Sequence, residues 1–271
     1  RTSTPMLRMK SRWANVRMPI GNGRPVRRAR AWVNARISAC QSVIMSVAAG
    51  DADGSVSGCV LTSKEVLRSM LHCIGTPPQV RLITSLFVVA VRNRQYGHNG
   101  LIGFCDASTV IDPSPAELAD MAIAAAGMVR ILFETEPVVA LLSYSTRLSG
   151  GRHKEVDKVV EAMRVVRSRA PELNVDGEMQ ADAALVPAVG ASKAPGSTVA
   201  GRANTLIFPN LTAANIAVKL VERLGDAAAI GPFVLGLAKP ANDLSRGCSA
   251  DDIYSTAVIT CLQAIHARSG G

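Results

Sequence analysis

From about residue 79 onward, short apolar runs alternate with longer stretches in which apolar residues recur every three or four positions. The short runs predict strands. They lie at 80–91 (one long strand or a pair), 101–104, 138–142, a segment opening at Val175, 203–208 and 233–237. The longer stretches predict helices over 116–133, 215–224 and 253–265. Asp112-Pro113-Ser114-Pro115 supplies an entry to the first of them, with Ser114 as cap and Pro115 in the first helical position. Val156, Val159, Val160, Met163 and Val166 fall on one face of a further helix. Earlier in the chain, 29–49 and 63–74 read as helices, the second with Ser63 as its cap, and 50–58 is rich in turn formers. Residues 1–28, interrupted by Pro5, Pro19 and Pro25, show no clean period and read as loop.

Strands that alternate with helices and lack in/out alternation imply a mostly parallel sheet covered on both faces. Ligands of such sheets sit beyond the carboxyl ends of the strands. Four small or polar loops fall there: 50–58, 143–151, 193–197 and 242–249. Small residues let backbone N–H groups approach an anion, so together the loops suggest a phosphate-handling cleft.

Composition narrows the class. The chain has 271 residues, 48% hydrophobic and 19% charged, enough for a sizeable core in one or two domains. Aromatics are only 4%, so Val, Ile, Leu, Ala and Met must fill that core. No apolar run of about 18 residues occurs, which predicts no membrane helix; Arg130 interrupts the best candidate, 121–133. No secretory signal is visible, and a start at Arg1 implies processing or a fragment. The net charge of +9 is uneven. Residues 1–50 hold ten Arg and Lys and no acid, and the rest hold twenty basic against twenty-one acidic residues. With only Trp13 and Trp32 as aromatics there and no reader motif, the basic segment reads as a solvated arm, and nucleic-acid binding is not expected. Cys40, Cys59, Cys73, Cys105, Cys248 and Cys261 form no C-x-x-C pair, which predicts reduced thiols in a cytoplasmic protein and no metal site. His72, His98, His153 and His266 are isolated and read as surface residues. Asp176, Glu178 and Asp182 read as turn and surface carboxylates.

The densest chemistry lies in the run Lys239-Pro240-Ala241-Asn242-Asp243-Leu244-Ser245-Arg246-Gly247-Cys248-Ser249-Ala250-Asp251-Asp252. Asp243, Ser245, Arg246 and Asp252 offer an acceptor, a small donor, a bidentate anion clamp and a base. Ser249-x-x-Asp252 equally fits a capping box at the start of the last helix. The chain has no GxxxxGK[ST], no GxGxxG and no GxSxG, so a nucleotide P-loop, a dinucleotide fold and a hydrolase elbow are not supported.

Over about residues 45–265 the motifs, in order, resemble the phosphate acetyltransferase (phosphotransacetylase) family. They are GDADGSVSG (50–58), IDPSPAELADMAI (111–123), PVVALLSYST (137–146), VDKVVEAM (156–163), PELNVDGEMQADAALVP (171–187), KAPGSTVAGRANTLIFPNL (193–211), AAAIGPFVLGLAKPANDLSRGCS (227–249) and DDI (251–253). The resemblance implies reversible transfer of an acetyl group between coenzyme A and inorganic phosphate, with coenzyme A as a substrate and no resident cofactor. It also implies an isocitrate dehydrogenase-like fold of two α/β domains with mostly parallel sheets and an active-site cleft between them. Domain I would comprise 1–92 with 233–271, incomplete at its N-terminus, and domain II 93–232. The family's catalytic residues map onto Ser245, Arg246 and Asp252. Arg68, Arg81, Ser145, Thr146, Lys193, Ser197, Asn242 and Asp243 would bind substrate. A homodimer in the cytoplasm, away from membranes, is implied. Related readings are a phosphate butyryltransferase and a non-catalytic domain like that appended to malic enzymes. The pattern departs from the family at Phe104-Cys105-Asp106-Ala107-Ser108-Thr109, where the family's cysteine position is Ala107 and Cys105 lies two residues earlier.

Overall fold

The computed structural model describes the backbone of residues 29–268 and the side chains of 39–268. The expected loop over 1–28, with Trp13 and most of the basic segment, lies outside the described residues. Along the chain the first elements are α1 (Ala29–Ala49), β1 (Ser55–Gly58), α2 (Ser63–Cys73), β2 (Thr84–Ala90), β3 (Leu101–Cys105), α3 (Pro115–Phe133), β4 (Val139–Leu142) and α4 (Lys154–Arg169). Then come β5 (Val175–Met179), α5 (Ala181–Leu185), α6 (Pro187–Lys193), β6 (Thr205–Ile207), α7 (Leu211–Leu224), β7 (Ala228–Leu235), β8 (Ala241–Leu244) and α8 (Ala250–Arg268). The chain divides into two compact units, Arg1–Gln79 with Leu237–Gly271, and Val80–Gly236.

In the first unit β1 and β8 pair in parallel, with Ser55 opposite Ala241 and Gly58 opposite Leu244. Ile44, Val47, Val66, Met70 and Ile259 are fully buried around this pair. The loops expected at 50–58 and 242–249 each contain strand residues. Ala241-Asn242-Asp243-Leu244 has no β-branched or aromatic residue and so carries no strand signal. Its buried amide is satisfied instead: Asn242 Nδ2 donates to Thr260 Oγ1 (2.8 Å) and Gln263 Oε1 (2.7 Å) on α8. Lys239, just before β8, donates through Nζ to the carbonyls of Val47 (2.8 Å) and Ala48 (3.0 Å). It thereby neutralises the negative end of α1. At Gly54 a Cβ would lie 2.6 Å from Thr260 Cγ2 and 3.2 Å from the Pro240 carbonyl, so glycine lets the chain entering β1 pass close to α8.

The expected cap of α2, Ser63, is corrected to Thr62. The Thr62 hydroxyl accepts from Glu65 N–H (3.4 Å) and the Glu65 carboxylate accepts from Thr62 N–H (2.8 Å). Glutamate three residues after Thr62 closes the box, which Ser63 has no partner to do. The entry to α3 is as expected, with Ser114 and Glu117 in a capping box and Pro115 in the first turn.

The second unit is built on a six-stranded sheet in the order β5-β4-β6-β3-β2-β7. The β5/β4, β4/β6 and β6/β3 pairs are parallel, whereas β2 runs antiparallel to both β3 and β7. The mostly parallel α/β class is borne out, with an antiparallel flank. The run at 80–91 forms a single strand, β2. Every residue of β3, β4 and β6 is buried, as expected for a sheet covered on both faces. Aromatics contribute little: Phe104 and Phe208, 5.2 Å between ring centroids, pack within a cluster otherwise rich in Ala, Val, Leu and Met. Val156, Val159, Met163 and Val166 form the buried face of α4, and Val160 is half-buried beside them.

Candidate active site

In the first unit, the residues that follow β8 turn sharply. Gly247 N–H donates to Ser245 Oγ (3.2 Å) and Cys248 N–H to the Ser245 carbonyl (3.1 Å). Ser245 and Arg246 are exposed on this turn. They line an open recess of about 520 Å³ with Gly247, Leu61 and Ser63. Ser63 opens α2, so the positive end of that helix faces the recess too. The capping box engages the N–H groups of Thr62 and Glu65, leaving those of Ser63 and Lys64 without an intrahelical partner. A guanidinium, a hydroxyl and a helix N-terminus around one recess suit an anion. Thr62 holds the Glu65 carboxyl below its usual range, chiefly through its hydroxyl and N–H, and the Arg246 charge adds a smaller share.

Asp252 stands at the start of α8. Its Oδ2 accepts from Ser249 N–H (2.8 Å) and Ser249 Oγ (2.8 Å), while Asp252 N–H donates to Ser249 Oγ (3.2 Å). The capping box read from the spacing is therefore present. Both carboxylate bonds fall on Oδ2, and Oδ1 takes no part in the box. Asp243 is different: it is 3% exposed and neither oxygen meets a hydrogen-bond partner. Burial pushes its carboxyl upward, and the nearby Ser63 hydroxyl and Leu244 N–H offset only part of that. Asn242 is fully buried with its amide committed to α8, so its side chain holds the strand rather than facing a ligand. Arg68 is exposed on α2 and does not line the recess.

The remaining predicted residues belong to the second unit. Arg81 is exposed just before β2. Ser145, Thr146, Lys193 and Ser197 are gathered by Asp176, Glu178 and Gln180, on β5 and the residue after it. Asp176 accepts from Ser197 Oγ (2.6 Å) and pairs with Arg147 (2.7 Å) and Arg167 (3.5 Å). Glu178 Oε1 accepts from Ser145 Oγ (2.8 Å) and Leu148 N–H (2.9 Å). Gln180 N–H donates to Thr146 Oγ1 (2.9 Å), and Gln180 Oε1 accepts from Lys193 Nζ (2.9 Å). Lys193 also pairs with Asp182 (2.7 Å) and draws that carboxyl below its usual range. Ser145 and Thr146 are buried, and their hydroxyls serve the loop itself. Asp176 and Glu178, read from sequence as turn and surface carboxylates, are buried organisers of two loops. Their i, i+2 spacing with Gln180 was the available signal, but a strand containing Gly177 between two acids does not look like one.

Ala107, the position at which the resemblance implies a cysteine, is buried and places a methyl group in the core. Cys105 is fully buried beside Thr84 (3.4 Å) and Asp106, and burial raises its thiol well above the usual range. Among the described residues no group of three or more His, Cys, Asp or Glu is arranged to hold a metal ion, and no helix is long and apolar enough to cross a membrane.

A family model described as phosphate acetyl/butaryl transferase matches residues 17–261. The chain is 46% identical over 226 residues to the phosphate acetyltransferase of Acetivibrio thermocellus, covering 83% of this chain and 68% of that protein. It is 46% identical over 220 residues to that of Clostridium acetobutylicum, covering 81% and 66%. A crystal structure of a phosphotransacetylase from Streptococcus pyogenes superposes with a TM-score of 0.78 at 43% identity, over 83% of this chain and 67% of that one. A branched-chain phosphotransacylase from Enterococcus faecalis shares the fold, with a TM-score of 0.71 at 18% identity. The matched stretch spans about two thirds of the length of the curated relatives. With a family model matching nearly the whole chain, the same motifs in order and a shared fold, the chain belongs to the phosphate acetyl/butaryl transferase family.

Proposed function

We propose that this chain carries the reaction of its relatives, the reversible transfer of an acetyl group between coenzyme A and inorganic phosphate. The observation that supports it most is the exposed Ser245-Arg246-Gly247 turn sharing a recess with the N-terminus of α2. In the direction of coenzyme A acylation, Asp252 Oδ1 accepts the thiol proton, because only the thiolate is an effective nucleophile. The sulfur attacks the carbonyl carbon of acetyl phosphate. Ser245 donates to the oxyanion that forms, a contribution whose loss costs on the order of 3 kcal/mol in comparable sites. Arg246 and the free N–H groups of α2 hold the phosphate as it leaves. No acyl-enzyme is required, since bringing two substrates together supplies much of the rate.

Arg68, Arg81 and Lys193, all exposed, remain the proposed contacts to the anionic parts of coenzyme A and acetyl phosphate. Asn242 holds β8 against α8, Ser145, Thr146 and Ser197 hold the loops that follow β4 and α6, and Asp243 lies in β8 two residues before Ser245. A homodimer in the cytoplasm without a resident cofactor completes the proposal. The test is consumption of acetyl phosphate by the purified chain with and without coenzyme A, followed as thioester formed. Thioester formation that depends on the chain and is abolished in Arg246→Ala supports the reading. No thioester at saturating substrates from a folded chain overturns it.

A further inference from the structure

We infer that Cys59 and Cys248 form an oxidative modification site, in which the two thiols join as a disulfide that ties the 245–248 turn to the end of β1. The sulfurs are 3.3 Å apart although 189 residues separate them in the chain. Among the six cysteines, all within the described side chains, no other pair of sulfurs stands within hydrogen-bonding range. Both are only half-buried, so a small oxidant reaches them.

The backbone holds each sulfur in place. Cys59 is the first residue past β1, and its N–H donates to the Leu244 carbonyl (3.0 Å), extending the β1/β8 ladder by one bond. Its φ of 64° is left-handed, which turns the chain away from the strand line at that residue. Cys248 closes the turn that starts at Ser245. A bond between them therefore bridges a fixed strand end and the exposed turn that carries Ser245 and Arg246.

The order of events follows from the surroundings. Burial, then the hydrogen bond and charge of the Cys248 sulfur, push the Cys59 thiol up to about 11. Cys59 thus stays protonated, and its sulfur shares a hydrogen bond with the Cys248 sulfur. Cys248 reacts first, as the nucleophile. With a peroxide as oxidant, the Cys248 thiolate displaces hydroxide from hydrogen peroxide and becomes a sulfenic acid. The Cys59 sulfur then attacks that sulfur; its proton and the sulfenic hydroxyl leave as water. Two thiols lose two electrons, and the peroxide is reduced to water.

The effect on catalysis rests on the function proposed above; the cross-link itself does not. The reduced chain is treated with hydrogen peroxide, then measured by intact mass, peptide mapping and turnover. The expected product is lighter by two hydrogen atoms and yields one linked peptide pair containing Cys59 and Cys248. Its turnover falls several-fold and returns with dithiothreitol. Cys59→Ser keeps its basal turnover, forms no cross-link, and accumulates a dimedone-reactive sulfenic acid at Cys248. Peroxide-treated chain in which both cysteines stay as thiols, or pair elsewhere, overturns the proposal. A cross-linked chain with unchanged turnover overturns the locking of the turn. A reduced chain without turnover counts against the proposed function alone, because the mass and peptide readouts still decide the site.

Discussion

Replacing Asp243 with Asn should stabilise the protein at neutral pH. Asp243 sits in β8, is 3% exposed, and presents two oxygens that no donor meets in hydrogen-bonding geometry, although the Ser63 hydroxyl and Leu244 N–H lie close by. Desolvation raises its pKa. The folded state therefore holds the proton more tightly than the unfolded chain, where the carboxyl titrates near about 3.9. Its contribution to stability is complete below that value and is lost as pH rises through the folded pKa. At neutral pH the native chain must either keep a proton that the unfolded chain releases or bury a bare charge.

Asparagine keeps the volume and one carbonyl acceptor while removing the titration. An unsatisfied buried acceptor costs about 1–3 kcal/mol, and a charged one more. The expected gain at pH 7 is about 1–3 kcal/mol, which for a chain of this size raises the melting temperature by about 2–12 °C. Melting curves of wild type and Asp243→Asn between about pH 4 and pH 8 give the answer. The two should converge at the acid end and separate as pH rises. Parallel curves, or a variant that loses ground toward neutral pH, would refute the assignment of an unpaired carboxylate. An unpaired carboxylate kept two residues before Ser245 is the kind of exception that a functional demand leaves in a fold.

Asp252→Asn separates base from cap: as base its loss cuts turnover by roughly 100-fold or more, while as cap alone it costs about 1 kcal/mol or less and spares turnover. Arg246→Lys should raise the KM for phosphate markedly, because the ammonium cannot make the planar two-point contact; an unchanged KM counts against the clamp. Glu178→Ala leaves the Ser145 hydroxyl and Leu148 N–H without their acceptor and should cost about 1–3 kcal/mol in urea unfolding. Glu178→Gln, which keeps an acceptor in the same place, should recover most of that loss, and equal destabilisation by both would show that charge rather than geometry holds the loop.

The elements that sequence reveals best are those whose signal is local. The entry to α3 was legible because Ser114, Pro115 and Glu117 act within one turn. β3, β4 and β6 were legible because strands buried on both faces are continuously apolar. β8 was not, since its stability depends on α8 accepting the Asn242 amide about twenty residues later. The Thr62 cap was missed by one residue because the choice between Thr62 and Ser63 rests on which hydroxyl has an acid three positions on. Short α5 and α6, five and seven residues long, have too few turns to show a period.

The polar residues proposed to meet substrate divide on the same ground. In sequence, Ser145, Thr146, Ser197 and Asn242 look no different from Ser245 and Arg246: small or charged groups in or beside glycine-rich segments. The difference lies in what stands opposite them. Asp176, Glu178 and Gln180 hydrogen-bond to the loops at 143–151 and 193–197 and take up the hydroxyls of Ser145, Thr146 and Ser197. Among the described residues the Ser245 oxygen accepts only from its own turn, and the Arg246 guanidinium is exposed with the Glu65 carboxylate near it. A buried polar group must find a partner inside the protein or weaken the fold, so the residues left for a substrate are those the fold does not need. By that criterion the case for chemistry concentrates on Ser245, Arg246 and the second oxygen of Asp252, and the residues on and after β5 hold the loops of their own unit in shape.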